Sequence, residues 1–165
     1  MDHVDFITRQ WEKERPDLDV TAMGIIGRVA LLYLAYQKEM NRNFVRFGLN
    51  SAKFDVLATL RRAGAPHMLS PGALLQATMV ASGTMTNRID RLEKDGLVRR
   101  SVNPDDSRSF LISLTDRGLT LVDEVVTEHV QIQASMMAGL DPTEVEALQA
   151  LLSKALVSAD LGQDP

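Results

Sequence analysis

The chain has 165 residues, 45% hydrophobic and 24% charged, with no cysteine and a formal net charge of −4. That length fits one domain or one protomer of an intertwined dimer, and the absence of thiols excludes disulfides, thiolate metal sites and thiol redox sensing. No stretch approaches the roughly 18 consecutive apolar residues of a membrane span, and the N-terminus MDHVDFITRQWEKERP is charged where a signal peptide would be apolar, so a cytoplasmic protein without a membrane partner is expected.

In chain order, residues 3–14 read as a short helix that ends before Pro16. Asp19 or Thr21 offers an N-cap for the long run MGIIGRVALLYLAYQKEMNRNFVRF, helical in period and closed by Gly48. This run is apolar on more than one face up to about Tyr36, which calls for burial against another subunit. Ser51 is placed to cap a helix closed by Gly64, and Ser70-Pro71 to start a short one through about Gln76. A further helix runs from about Ala81 to Asp95, ended by Gly96.

The hydrophobic period then changes to two. In LVRRSV, Val98, Arg100 and Val102 share a face, and in SFLISL so do Phe110, Ile112 and Leu114, with the turn NPDDSR between them. Thr115 caps a long helix through about Leu140, and Asp141-Pro142-Thr143-Glu144 is a capping-box variant opening a last helix to about Ala159. The tail LGQDP is expected to fray. The fold class is therefore mainly α with a small β-hairpin: a winged helix-turn-helix flanked by N- and C-terminal dimerisation helices. Residues 1–165 form one protomer, with 1–48 and 116–160 dimerising and 51–114 forming the DNA-binding lobe.

Charge is distributed unevenly. Residues 61–108 hold eight basic and five acidic groups, net +3, whereas residues 118–165 hold one basic group against eight acids, net −7. The positive excess coincides with the winged helix, as a double-stranded DNA partner requires. On the helix of residues 81–95, Ala81, Met85, Ile89 and Leu92 fall on one arc, and Gly83, Asn87, Asp90 and Lys94 on the opposite side, with Thr86 and Arg91 at its edges. Ser82, Thr86 and Asn87 are the candidates for base contact, with Thr84 in the same DNA-binding set. Arg91 and Lys94 would reach phosphates. A cation at the hairpin tip, Arg108, suits the negative potential of a minor groove, and Asp106 is placed to orient it or to pair with another wing arginine.

The run ASGTMTNRIDRLEKDGLVRRSVNPDDSRSFLISLTDRG resembles the signature of the MarR family of bacterial regulators in its recognition-helix pattern, the RLEKDGLV exit, the Asp106-x-Arg108 tip and the closing LISLTDRG. The helical frame resembles that family across nearly the whole chain. The resemblance implies a homodimer on a pseudo-palindromic site, commonly a repressor, with the Arg108 wing in the minor groove. Ser107 stands where many members carry a second arginine.

Arg88 lies at the border of the apolar arc rather than on the DNA side, and a partly buried guanidinium needs a partner. Asp55, Thr59 and Arg62 share one side of the helix that Ser51 opens, and Trp11 lies in the first helix. An aromatic plate with two arginines and a carboxylate suits a planar anion. Trp11, Asp55, Arg62 and Arg88 also resemble the positions used by a urate-responsive branch of the family, which implies a purine-like or other small aromatic anion as ligand. The alternatives are a structural salt-bridge network for the three charges and a core anchor for Trp11.

The scattered His3, His67 and His129 show no metal-ligand spacing, and there is no glycine-rich phosphate loop and no histidine-centred triad. Neither a metal nor a cofactor nor an enzymatic activity is expected. The competing reading is a winged-helix module for a protein or RNA surface without ligand sensing.

Overall fold

The computed structural model describes residues 1–78, 85–104 and 106–159, in two compact units, residues 1–40 and 41–165. In the first unit, α1 (His3–Glu14) opens on a capping box. Asp2 accepts the N–H groups of Val4 and Asp5 at 2.8 and 3.0 Å, and Asp5 accepts that of Asp2 at 2.9 Å. α2 (Thr21–Arg46) starts where the Asp19 carboxylate accepts the Thr21 N–H at 2.9 Å. Arg28 ties the helices together by bonding Asp2 at 2.9 Å and also Asp5. Gly27 allows their close approach, since a Cβ there would lie 3.2 Å from Cγ1 of the buried Val4. Ile25, Ile26, Val29, Leu31, Leu32, Tyr33 and Leu34 of α2 are all exposed.

In the second unit, α2 gives way to Gly48 at φ +67°, a left-handed position that glycine takes without a Cβ penalty. Ser51 is not the cap of α3 (Ser51–Arg62) but its first residue. Asn50 caps it, its side-chain oxygen accepting the Lys53 N–H at 2.9 Å. Asparagine and serine cap about equally well, so neighbouring candidates could not be ranked from sequence. Ser70 caps α4 (Pro71–Ala77) by accepting the Ala73 N–H at 3.1 Å, with Pro71 in the first turn. α5 (Met85–Lys94) is described from Met85 onward, and residues 79–84 of the expected helix start lie outside the described residues.

The hairpin is β2 (Val98–Asn103) and β3 (Asp106–Leu114), so its strands reach further into the expected turn than the apolar alternation did. A third strand, β1 (Met68–Leu69), pairs with β3 and gives the antiparallel order β1-β3-β2. Two residues are too few to show a period of two, so β1 was not legible. α6 (Asp116–Met136) stops earlier than the expected Leu140, and α7 (Pro142–Ser158) opens on the expected Asp141/Glu144 capping box. The frayed tail expected at 161–165 lies outside the described residues.

The core joins Val56, Leu57 and Leu60 of α3 to Leu74, to Met85, Ile89 and Leu92 of α5, to Val98, Ile112 and Leu114 of the sheet, and to Val122 and Val125 of α6. Thr115 fastens α6 to the hairpin: its Oγ1 accepts the Gly118 N–H at 3.0 Å and donates to the Gly96 carbonyl at 2.8 Å. Gly118 is required there, because a Cβ would run into the Leu97 carbonyl, whose carbon is 2.9 Å away. α7 contributes no buried residue, and Leu151, Leu152, Leu156 and Val157 are exposed on it.

Candidate nucleic-acid interface and adjoining charge cluster

The amphipathic pattern of α5 is realised: Met85, Ile89 and Leu92 are buried, and Thr86, Asn87, Asp90, Arg91 and Lys94 are exposed. Three side chains of one stripe pin the helix into the core, so the opposite stripe is a rigid polar surface. Ser82 and Thr84, the other two candidates on this helix, lie outside the described residues.

One feature of this face was missed in the sequence. Arg100 of β2 bonds both Asp90 and Glu93 of α5 through its guanidinium, and its backbone N–H meets Glu93 Oε1 at 3.2 Å. The two carboxylates on the polar side of α5 thus share one positive charge, which offsets half of theirs, and the hairpin is fixed to the helix. The signal was present in the alternation of Val98, Arg100 and Val102, which puts Arg100 on the face of the hairpin turned toward the core; its partner could not be named without knowing that α5 packs there.

At the hairpin end the register runs regularly to Val102↔Phe110, then jumps to Asn103↔Asp106. Residues 107–109 therefore have no counterpart on β2 and bow outward, a β-bulge of several residues. Asp106 Oδ1 accepts the Arg108 N–H at 3.0 Å, Ser109 Oγ donates to the Asp106 carbonyl at 3.1 Å, and Asn103 Nδ2 donates to Ser109 Oγ at 3.0 Å. Asp106 thus acts on Arg108 through the backbone, leaving the exposed Arg108 side chain to project from the arch.

On the inner side of α5, Arg88 is half-buried and its Nη1 is buried without a hydrogen-bond partner among the described residues. Asp55 Oδ2 on α3 is in the same condition. Burial pushes the Asp55 carboxyl above its usual range, and the positive charges of Arg62 and Arg88 oppose that shift without cancelling it. Arg62 is committed elsewhere: its Nη2 donates to Thr59 Oγ1 at 3.2 Å and to the Ala77 carbonyl at the end of α4. Arg62 and Arg88 are thus both within electrostatic reach of Asp55, yet a carboxylate oxygen and a guanidinium nitrogen are left without hydrogen bonds among the described residues. Trp11 belongs to the other unit, on α1, and is 43% exposed.

Beside this cluster a cavity of about 240 Å³ opens between α3 and α5, lined by Asn50, Ala52, Lys53, Asn87, Arg88 and Arg91. Lys53, one of its lining residues, is paired with Asp95 at 2.6 Å. Among the described residues no group of three His, Cys, Asp or Glu side chains could hold a metal, and no helix is long and apolar enough to cross a membrane.

Residues 49–110 match the model of the MarR family. The chain is 40% identical over 151 residues to the transcriptional regulator PecS of Dickeya dadantii, covering 92% of this chain and 91% of that protein. In structure it is similar to Bordetella bronchiseptica BpsR, a protein whose DNA binding is regulated by 6-hydroxynicotinic acid, with TM-score 0.68 and 31% identity over 78% of this chain and 90% of that one. It is also similar to an Escherichia coli MarR variant solved with operator DNA, with TM-score 0.68 and 26% identity over 88% of this chain and 97% of that one. The exposed polar stripe of α5, the hairpin fixed to it and these relationships agree: the chain belongs to the MarR family, in the branch that PecS represents, and is a transcriptional regulator that binds DNA.

Proposed function

We propose that the protein is a homodimeric repressor that holds a pseudo-palindromic operator with two copies of the α5–wing face and is released from it by a small planar anion. Thr86 and Asn87, with Ser82 and Thr84 ahead of them, read base edges in the major groove; Arg91 and Lys94 hold phosphates; Arg108 enters the minor groove. The exposed apolar rows of α2 and α7 support dimerisation, because contiguous apolar surface of this extent marks an interface. Residues 1–48 and 116–160 supply that interface, and residues 51–114 are the DNA-binding lobe.

The ligand reading rests on one observation: Asp55 Oδ2 and Arg88 Nη1 are buried without hydrogen-bond partners among the described residues. Opposite charges kept half-buried and unsatisfied cost stability, and a planar anion bearing both donors and acceptors would satisfy them. Urate and aromatic carboxylates or phenols have that chemistry. Since Arg88 lies on the DNA-reading helix, engaging it displaces the Thr86/Asn87 side, and the ligand favours a dimer whose two α5 helices no longer match successive grooves. Only such a difference in affinity can release DNA.

The test combines a gel shift on the promoter region beside the protein's own gene with a thermal-shift screen of planar anions that includes urate. A true ligand raises the melting temperature with concentration and loosens DNA. An Arg88→Ala protein that binds DNA and still responds to every ligand of the wild type refutes the assignment.

A further inference from the structure

Val102 and Phe110 form the outermost regular rung of the hairpin, directly beneath the arch that carries Arg108. A solvated hairpin end is ordinarily polar, yet these two large apolar side chains are 58% and 53% exposed. Alternation along the strands puts them on the face that also carries Arg100 and, further in, the buried Val98, Ile112 and Leu114. On that face Arg100 bonds Asp90 and Glu93 of α5. The exposed rung therefore continues the surface that α5 presents, and it lies on the path from α5 to Arg108.

We propose that Val102 and Phe110 are a DNA-contacting rung that packs on the deoxyribose wall of the minor groove when Arg108 enters it. The proposal rests on the reading of the α5–wing face as the DNA surface. Two residues of extended chain reach at most about 7 Å, comparable to the minor groove's depth of about 7.5 Å. With Arg108 inside the groove, the rung two residues behind it stands at the lip. What the lip offers an apolar side chain is the C–H surface of the sugars, since the phosphates lie further out. Apolar side chains are a recurrent partner of the minor groove. The rung would make the depth of wing insertion sensitive to groove width, and so to sequence.

The test is the dissociation constant and its salt dependence on an operator duplex, by fluorescence anisotropy, for the wild type, a Val102→Ser/Phe110→Ser double variant and Arg108→Ala. The double variant should bind about tenfold more weakly through the lost apolar contact, with an unchanged salt slope, because an apolar contact releases no counterions. Its melting temperature should stay within about 2 °C of wild type, as both side chains are exposed. Restoring an apolar residue with Phe110→Leu should recover part of the affinity. Arg108→Ala should instead reduce the slope by about one. Wild-type affinity in the double variant with Arg108→Ala impaired would overturn the rung and leave the DNA face standing. Wild-type affinity in both would remove the DNA face itself. A double variant that loses self-association at unchanged DNA affinity would also overturn the proposal and assign the rung to a contact between copies of the chain.

Discussion

Replacing Arg100 by alanine should weaken DNA binding measurably while leaving the fold nearly intact. Arg100 is a partly exposed side chain holding two partly exposed carboxylates, Asp90 and Glu93. Ion pairs in such solvent contact contribute roughly 0–1 kcal/mol to stability, so the melting temperature should fall by a few degrees at most. The effect on DNA has another origin. Removing the guanidinium exposes two negative charges beside the groove-facing stripe of α5. A unit charge about 10 Å from a phosphate, at an effective dielectric of about 60, contributes roughly 0.5 kcal/mol of repulsion. The net change is one unit of negative charge, which against the two nearest phosphates gives roughly 1 kcal/mol, a weakening of about fivefold at low salt. Anisotropy titrations against duplex DNA at several salt concentrations measure it, and the gap to wild type should narrow as salt screens the repulsion. Adding Asp90→Asn and Glu93→Gln to Arg100→Ala should bring the affinity back to the wild-type level or above it. A variant that binds DNA as tightly as wild type, or one that the two neutralising substitutions fail to rescue, would show that these carboxylates do not face DNA.

Gly118→Ala should destabilise the fold by about 2–4 kcal/mol, read from chemical denaturation, because the new Cβ meets backbone at Leu97 rather than a side chain that can swing away. Asp55→Asn should raise the melting temperature at pH 7, because burial raises the Asp55 carboxyl pKa and the charged form is disfavoured in the folded state. The sign follows from linkage: the folded state binds the proton more tightly, so stability falls as pH rises from the ordinary carboxylate value through the raised one, and the gain from Asn should vanish below about pH 3.8. A loss of stability at pH 7 would mean that attraction to Arg62 and Arg88 outweighs desolvation. Ile26→Glu on the exposed row of α2 should leave the helix intact but halve the mass seen by sedimentation equilibrium; an unchanged mass would place the dimer contact elsewhere.

Much of this architecture could be read from the chain because its signals are local. The capping box at Asp141, the Ser70-Pro71 start, the 3.6-residue spacing of Met85, Ile89 and Leu92 and the alternation of Val98, Arg100 and Val102 each report on neighbours within a few residues. The unread features depend on neighbours distant in sequence. β1 exists only because Met68 and Leu69 find Ser113 and Ile112, and Arg100 is seen to pair with Asp90 and Glu93 only once the hairpin is packed on α5. The arch at Arg108 follows from a register jump that no turn motif announced. Arg88 was legible as an anomaly, a cation at the border of an apolar arc, but its unsatisfied Nη1 and that of its counterpart Asp55 Oδ2 are packing facts.

The central claim, that the α5–wing face holds DNA, is tested most directly by the salt dependence of binding to the promoter region beside the protein's own gene, measured for wild type and Arg91→Ala. Wild type should bind saturably with a log affinity that falls linearly with log salt, and Arg91→Ala should show a slope smaller by about one unit through loss of its phosphate contact. An Arg91→Ala protein with the slope and affinity of wild type, or a wild type that fails to bind the duplex even at low salt, would contradict it.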